Sequence, residues 1–552
     1  MTKSYKKTMF DSVQIKIMWN RLITILEEQA KTLIRTSFTS ILADSEDLSA
    51  GLFDTKGNMI AQANTGTPGH INTMAIGVKH FLEKFPPHSL KPGDVLIGNN
   101  AYEISGHLLD LTIVTPVFYH DDLVGFFAST CHTADIGGRG YNPEADSIFE
   151  EGLQIPYMKY YEQGKLNETL QSIIAMNVRA PYEVLGDLKA QVLANEVARN
   201  RLVEMMEEFE IGEIDTLGEE IMDRSEKGMR QAISMVPDGV YENEIFTDGF
   251  DERIKLKCTV TVAGDEITVD YKGSSPASSK GINVSLYYVT AYTTYVLKAA
   301  IASNIPNNEG SFRPVQVTAP KGSIVNAKPP VPTAARHVIG HFAPECVLGA
   351  LSQAIPDRTI AEGASSVWSL PISGEGFTTT PFTAGGMGAR PNKDGLSATA
   401  FPSGIRGVPI EIIETTSPVV FHQKELREDS GGAGKFRGGL GQTIEFSVRT
   451  NKPWTFASMI DRLNNGAKGL QGGMCGAKAE AYINGKKATH SKAMYKLNPD
   501  AVIKLQLPGG GGYGNAAERD HSLIDNDVKN GYITPEAALK DYGVKIDPDS
   551  LM

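Results

Sequence analysis

Apolar residues recur mostly at steps of three and four through residues 12–42: Ile15, Ile17, Met18, Leu22, Ile25, Leu26, Ala30, Leu33 and Ile34. That period predicts a long amphipathic helix laid on the main core. The pattern then shortens. Apolar stretches at 52–54 and 59–62 flank Thr55-Lys56-Gly57-Asn58, which predicts a tight hairpin. After the loop TGTPGHIN, residues 73–84 return to a helical period. Two apolar runs follow, 111–118 and 123–128, separated by the polar turn His120-Asp121-Asp122; they predict a second antiparallel hairpin. Residues 177–234 are helical in period. Residues 239–275 alternate apolar and polar with Gly-Asp and Lys-Gly turns, as strands do. A helix is expected over 282–301, with Leu286, Val289, Tyr292 and Val296 on one face. The last third, 361–506, alternates short strands with glycine-rich loops, and a short helix is expected at 534–541 in an acidic tail.

These elements describe an α+β chain of several lobes, with mixed sheets and helices and a β- and glycine-rich C-terminal half. Its 552 residues are too many for one small core. The expected divisions are 1–176, with the long helix and both hairpins; 177–238, helical; 239–360, an α+β lobe; and 361–552, a glycine-rich β lobe with its tail.

The formal net charge of −12 argues against nucleic acid as a partner, because phosphate binding needs a basic surface. No apolar run reaches the roughly 18–20 residues of a membrane span. Residues 1–16 are polar and basic, without the apolar core of a signal peptide. Cys131, Cys258, Cys346 and Cys475 are scattered and form no C-x-x-C, as expected of free thiols in a reducing compartment. A cytoplasmic protein is the expectation.

The second hairpin carries the candidate chemistry. His107 and Asp110 stand at the start of its first strand, and His132 and Asp135 just past the end of its second. An antiparallel hairpin brings those ends together, so imidazoles and carboxylates meet at one open end, a plausible set of donors for a divalent metal. His107, Asp110 and His132 form the core of that set. Asp47, in the acidic loop before the first hairpin, is a candidate fourth donor, although Asp44 could also reach. Asp135 could orient a histidine, and Glu150 or Glu151, in the acidic loop downstream, could act as a base or lie on the surface. Cys131 adjoins His132 and so points to the opposite face of its strand, which suits packing rather than nucleophilic attack. Arg336, His337 and His341, after the rigid Pro329-Pro330-Val331-Pro332, could line an anion pocket or cap a helix. The strings GGAGKFRGGLGQ and PGGGGYGNAAERD match no phosphate-binding fingerprint and read as tight turns and close backbone packing.

Taken in order, these strings resemble the hydantoinase B / oxoprolinase family across nearly the whole chain. The family's opening acidic motif is matched by Asp44-Ser45-Glu46-Asp47-Leu48-Ser49, and its N-D-P-Y-x-G-G-T-H-L-P-D string by residues 99–110. Its H-x-x-D-(I/V)-G-G string falls on 132–138 and its E-E-G on 150–152. Its R-x-x-S-G-G and terminal P-G-G-G-G strings fall on 427–439 and 508–520. The chain departs from the family at Asp44-Ser45, Asn100-Ala101, Ile104-Ser105 and Leu109, while Asp47, His107, Asp110 and His132 are retained. The resemblance implies the metal-bearing subunit of an ATP-dependent cyclic-amide hydrolase acting on hydantoins, lactams or 5-oxoproline. Asp47, His107, Asp110 and His132 would hold one divalent ion (zinc, manganese or iron), with Asp135 and Glu150 assisting catalysis. ATP and its magnesium would bind a hydantoinase A-type ATPase partner that O-phosphorylates the substrate carbonyl. The related role implied is that of the corresponding subunit of an ATP-dependent ketone carboxylase.

Overall fold

The structure is a computed structural model that describes residues 10–250 and 252–546. Of the polar N-terminal segment 1–16, residues 1–9 lie outside them. The α+β expectation holds. A seven-stranded sheet takes the order β2-β1-β5-β4-β3-β6-β7, with β1 Leu48–Phe53, β2 Met59–Gln62, β3 Val95–Gly98, β4 Asp110–Tyr119, β5 Asp122–His132, β6 Met158–Glu162 and β7 Lys165–Leu166. Both faces of this sheet are covered. Leu48, Ala50, Leu52, Phe127 and Cys131 pack against the Ser12–Thr36 and Pro181–Glu208 helices. Phe53, Phe126 and Ala128 pack against the Pro68–Lys84 helix on the other side. Every residue of β1 is buried, so its side chains show no alternation, the pattern expected of a strand covered on both faces.

A four-stranded sheet, β8 Gly239–Thr247, β9 Ile254–Ala263, β10 Glu266–Asp270 and β11 Val315–Thr318, is covered on one face only. Burial along β9 alternates strictly, with the inner residues packed on the Leu286–Ile301 and Ala343–Leu351 helices. The C-terminal half builds a six-stranded and a five-stranded sheet around Trp368, Phe446 and Trp454. Its two glycine strings lie backbone to backbone. A Cβ on Gly438 would fall 1.9 Å from the Gly510 carbonyl oxygen, and one on Gly509 1.8 Å from that of Ser430. Close packing of chain on chain, and not a ligand, accounts for these glycines.

Several helix boundaries differ from the periodicity, and the helix expected over 282–301 begins at Leu286. The first helix stops at Thr36 rather than running to 42. The Asp187 carboxylate accepts the Phe38 N–H at 2.6 Å and the Thr39 hydroxyl at 2.7 Å, and so pulls the chain out of helix. The region 177–234 is two helices, Pro181–Glu208 and Asp215–Ile233, preceded by a third, Glu168–Asn177. The helix expected at 73–84 begins at Pro68, with proline in the first turn where its missing N–H costs nothing. That extra turn matters for the site. Among the described residues no helix is long and apolar enough to cross a membrane.

Candidate metal centre

The hairpin places its open end as expected. Asp110 is the first residue of β4 and His132 the last of β5, and the two are directly opposed in register. His107 comes from the loop just before β4. Its neighbour Gly106 has φ +100°, and a Cβ there would lie 2.5 Å from Cδ of Arg336. Asp47 comes from the turn before β1, and its carbonyl accepts the His132 N–H at 3.2 Å. The added turn of the Pro68–Lys84 helix brings in His70, which the apolar period alone places in a loop. The proline-at-first-turn pattern in Thr67-Pro68-Gly69-His70 is the signal that could have found it.

Asp110 is the hub. It has no exposed surface. His107 Nε2 lies 2.7 Å and His132 Nδ1 3.2 Å from its Oδ1, and His70 Nε2 3.0 Å from its Oδ2. Arg336 donates to Oδ2 at 2.6 Å while its Nε donates to the Ser105 carbonyl, and the guanidinium lies 4.3 Å over the Tyr288 ring. Asp47 sits alongside, 3.5 Å from His70 Nδ1 and 4.0 Å from His132 Nδ1. One donor atom each from His107, Asp110 and His132 falls within 4.8 Å of the others.

The protonation pattern fits a cation. Burial opposes ionisation of Asp110, but His70 and the Arg336 guanidinium hold the carboxyl well below its ordinary range. Burial and Arg336 push His107 down to about 3, so its imidazole is neutral. The Ala334 carbonyl, 2.9 Å from His107 Nδ1, can only accept and therefore fixes the ring proton there. The lone pair of Nε2 then faces a carboxylate oxygen. Two acceptors aimed at each other need a positive charge between them. Burial opposes protonation of His70, but Asp110 and Asp47 outweigh it and raise its pKa, and its Nδ1 is buried with no hydrogen-bond partner. Nitrogen and carboxylate donors in this mixture suit zinc, manganese or iron. The surrounding cavity, about 30 Å³, also meets Tyr141, Tyr288, Tyr292, His337 and His341.

The structure does not bring Asp135 or Glu150 into this centre. Asp135 turns away and is bound by Arg179, whose guanidinium donates at 2.8 Å and whose backbone N–H also donates, and by the Gly137 N–H. Glu150 pairs with Arg139 near the surface. It is Glu151 that turns inward, accepting the N–H groups of Thr333 at 2.6 Å and Ala334 at 2.7 Å. Burial pushes its carboxyl up to about 8. Glu151 thus braces Ala334, the residue whose carbonyl orients His107. Helical phase separates the neighbours, since residues next to each other in the short Ile148–Glu151 turn cannot share a face.

Fold and site together define a mixed α/β protein with a buried histidine–aspartate centre at the mouth of a hairpin. The hydantoinase B/oxoprolinase family model matches residues 11–516, and the chain belongs to that family. A protein of Pseudomonas sp. (strain NS671), provisionally named as one subunit of a D-/L-hydantoinase, is 31% identical, with 97% of this chain and 95% of that protein covered. The crystal structure of the ATP-dependent caprolactamase from Pseudomonas jessenii superposes with a TM-score of 0.89 at 26% identity, over 98% of this chain and 97% of that one. A nucleotide-free acetone carboxylase structure shares the fold, with a TM-score of 0.86 at 19% identity, over 98% of this chain and 81% of that one.

Proposed function

We propose that this chain is the metal-bearing subunit of an ATP-dependent hydrolase of cyclic amides, such as hydantoins, lactams or 5-oxoproline. The observation that carries the reading is the cluster His107, Asp110 and His132, with Asp47 and His70 beside it, in a chain that belongs to this family. A divalent ion bound there would lower the pKa of a coordinated water and supply the nucleophile at neutral pH. The chain's own residues prepare the centre. Ala334 fixes the His107 tautomer, Arg336 keeps Asp110 ionised, and the Tyr141 hydroxyl, 2.9 Å from His337 Nδ1, orders the opposite wall. An amide carbonyl is a poor electrophile, so ATP-driven O-phosphorylation by a hydantoinase A-type partner would supply its leaving group. The glycine strings of this chain are packed on themselves, which favours ATP on the partner. The free cysteines agree with a cytoplasmic setting.

The test combines the chain with its ATPase partner, ATP and a lactam or hydantoin, with and without bicarbonate. Ring opening that needs ATP and does not need bicarbonate is expected. Turnover of a ketone that requires bicarbonate would replace this reading with the carboxylase one.

A further inference from the structure

The metal cavity is closed. Its volume of about 30 Å³ has room for about two waters, whereas sites that take small molecules are typically about 300–1,000 Å³. A wall must therefore move before a ring compound can reach the histidines. A cleft of about 370 Å³ lies on the outer side of one wall. Loops 66–69 and 402–407 divide the two spaces. Thr67, Gly69, Ser403 and Ile405 face the histidines, whereas Gly66, Pro68, Pro402 and Gly404 face the cleft.

Packing decides which loop can move. The Thr67 N–H donates to the Leu48 carbonyl at 3.1 Å, and a Cβ on Gly66 would fall 2.7 Å from that same oxygen. A Cβ on Gly69 would fall 2.9 Å from the Tyr288 ring. Loop 66–69 is thus locked between strand and helix. Residues 402–407 are not. A Cβ on Gly404 would meet only the Gly66 carbonyl oxygen, at 3.9 Å, and one on Gly407 would meet nothing within 4 Å. Gly407 has no positive φ either, so neither packing nor turn geometry calls for glycine there, and what it supplies is backbone freedom. The segment is anchored at its ends, by Phe401 against the core under the four-stranded sheet and by Val408 in the core of the C-terminal sheets. Between those anchors, apart from local bonds to Ala400 and Ser403, every hydrogen bond among the described residues passes through Arg406. Its N–H donates to the Ser45 carbonyl at 3.1 Å, and its guanidinium, 67% exposed, pairs with Glu46 at 2.6 Å. Glu46 has φ +54°, a left-handed conformation that costs a side chain energy, and Asp47 follows it directly.

We propose that residues 402–407 are a strap that swings out to admit the cyclic amide from the cleft and is latched shut by Arg406 on Ser45 and Glu46. The inference rests on the reading that the cavity receives a small molecule. Opening joins cavity and cleft into one space of the size that ligand sites have. Closing shuts bulk water out of the centre. Because Glu46 adjoins Asp47, the shut strap also fixes the turn that carries this carboxylate to the histidines.

Ser403 is 1% exposed and faces the cavity, so Ser403→Cys places a thiol that only an open strap uncovers. The full chain is treated with N-ethylmaleimide, and modification of each cysteine is followed by peptide mass spectrometry. The time course is run before and after dialysis against chelator, so that bound metal does not mask the thiol. The chain carries its own references: Cys475 is exposed, and the buried Cys131 reports unfolding. The introduced thiol should react more slowly than Cys475 and faster than Cys131. Adding Arg406→Met should speed its reaction about two- to fivefold, the scale of a partly exposed ion pair, with Cys131 unchanged. Reaction as fast as that of Cys475 would overturn the proposal, because nothing then closes the cavity. Reaction only as fast as that of Cys131 would overturn it too, because the strap then opens only with the fold. Equal rates with and without Arg406→Met, or an equal acceleration of Cys131, would remove the latch. The readout needs neither substrate, ATP nor a partner, so a failed ring-opening assay leaves it standing, and its own failure leaves the hydrolase reading intact.

Discussion

Replacing Asp110 by Asn tests the charge balance of the centre at its hub. The substitution keeps shape and removes one negative charge that sits 2.6 Å from the Arg336 guanidinium and within 3.2 Å of nitrogens on His107, His70 and His132. Arg336 is only 4% exposed, so it is left as a buried cation without its carboxylate. Breaking a buried pair in this way costs about 3–5 kcal/mol, a sizeable part of the roughly 5–15 kcal/mol that holds a domain folded. Asp110→Asn should therefore lower the calorimetric transition at fixed scan rate and lose the metal measured by elemental analysis. The double variant Asp110→Asn with Arg336→Met removes the orphaned cation. It should regain about half or more of the lost stability, because the two side chains interact directly, and it should still lack metal. Metal at wild-type stoichiometry in Asp110→Asn would refute the account, and so would additive losses in the double variant.

Three further outcomes follow from the same geometry. His70→Ala should weaken metal binding by about tenfold to a hundredfold, the range for a residue that orders or completes a site, whereas Asp135→Asn and Glu150→Gln should leave metal content unchanged; elemental analysis after dialysis against graded chelator separates them. Lys298, held at about 8 against its ordinary 10.5, disfavours the folded state fully below pH 8, and that cost fades as pH rises through the window to 10.5. Lys298→Met should thus stabilise the chain by about 1–3 kcal/mol at pH 7 and by much less near pH 10, as read from denaturant melts; a gain independent of pH would contradict it. Gly509→Ala should block folding of the C-terminal half, since the added methyl would fall 1.8 Å from the Ser430 carbonyl oxygen, and near-ultraviolet circular dichroism of the tryptophans there reports it.

Whatever depends on local period and turn chemistry is legible in the sequence. The paired runs around His120 predict the hairpin, and the opposed ends of β4 and β5 place Asp110 against His132 as the alternation requires. Cys131 lies in the core opposite His132 for the same reason. What escapes is set by contacts distant in sequence. His70 depends on where one helix begins, and Arg336 reaches Asp110 across 226 positions of chain. Asp135 looks like a partner for histidine by spacing, but Arg179 claims its carboxylate from a different segment. Between Glu150 and Glu151, identical side chains at adjacent positions, only the packing of Thr333 and Ala334 selects the inward one.

The most direct test of the central claim is anomalous diffraction from crystals of the purified full chain, recorded across the zinc, manganese and iron edges. A single metal peak bounded by His107, Asp110 and His132, with Asp47 or His70 completing it, is the predicted result. A chain fully loaded with metal whose peak lies elsewhere, or a centre that stays without a peak after equilibration with each of the three ions, would contradict it.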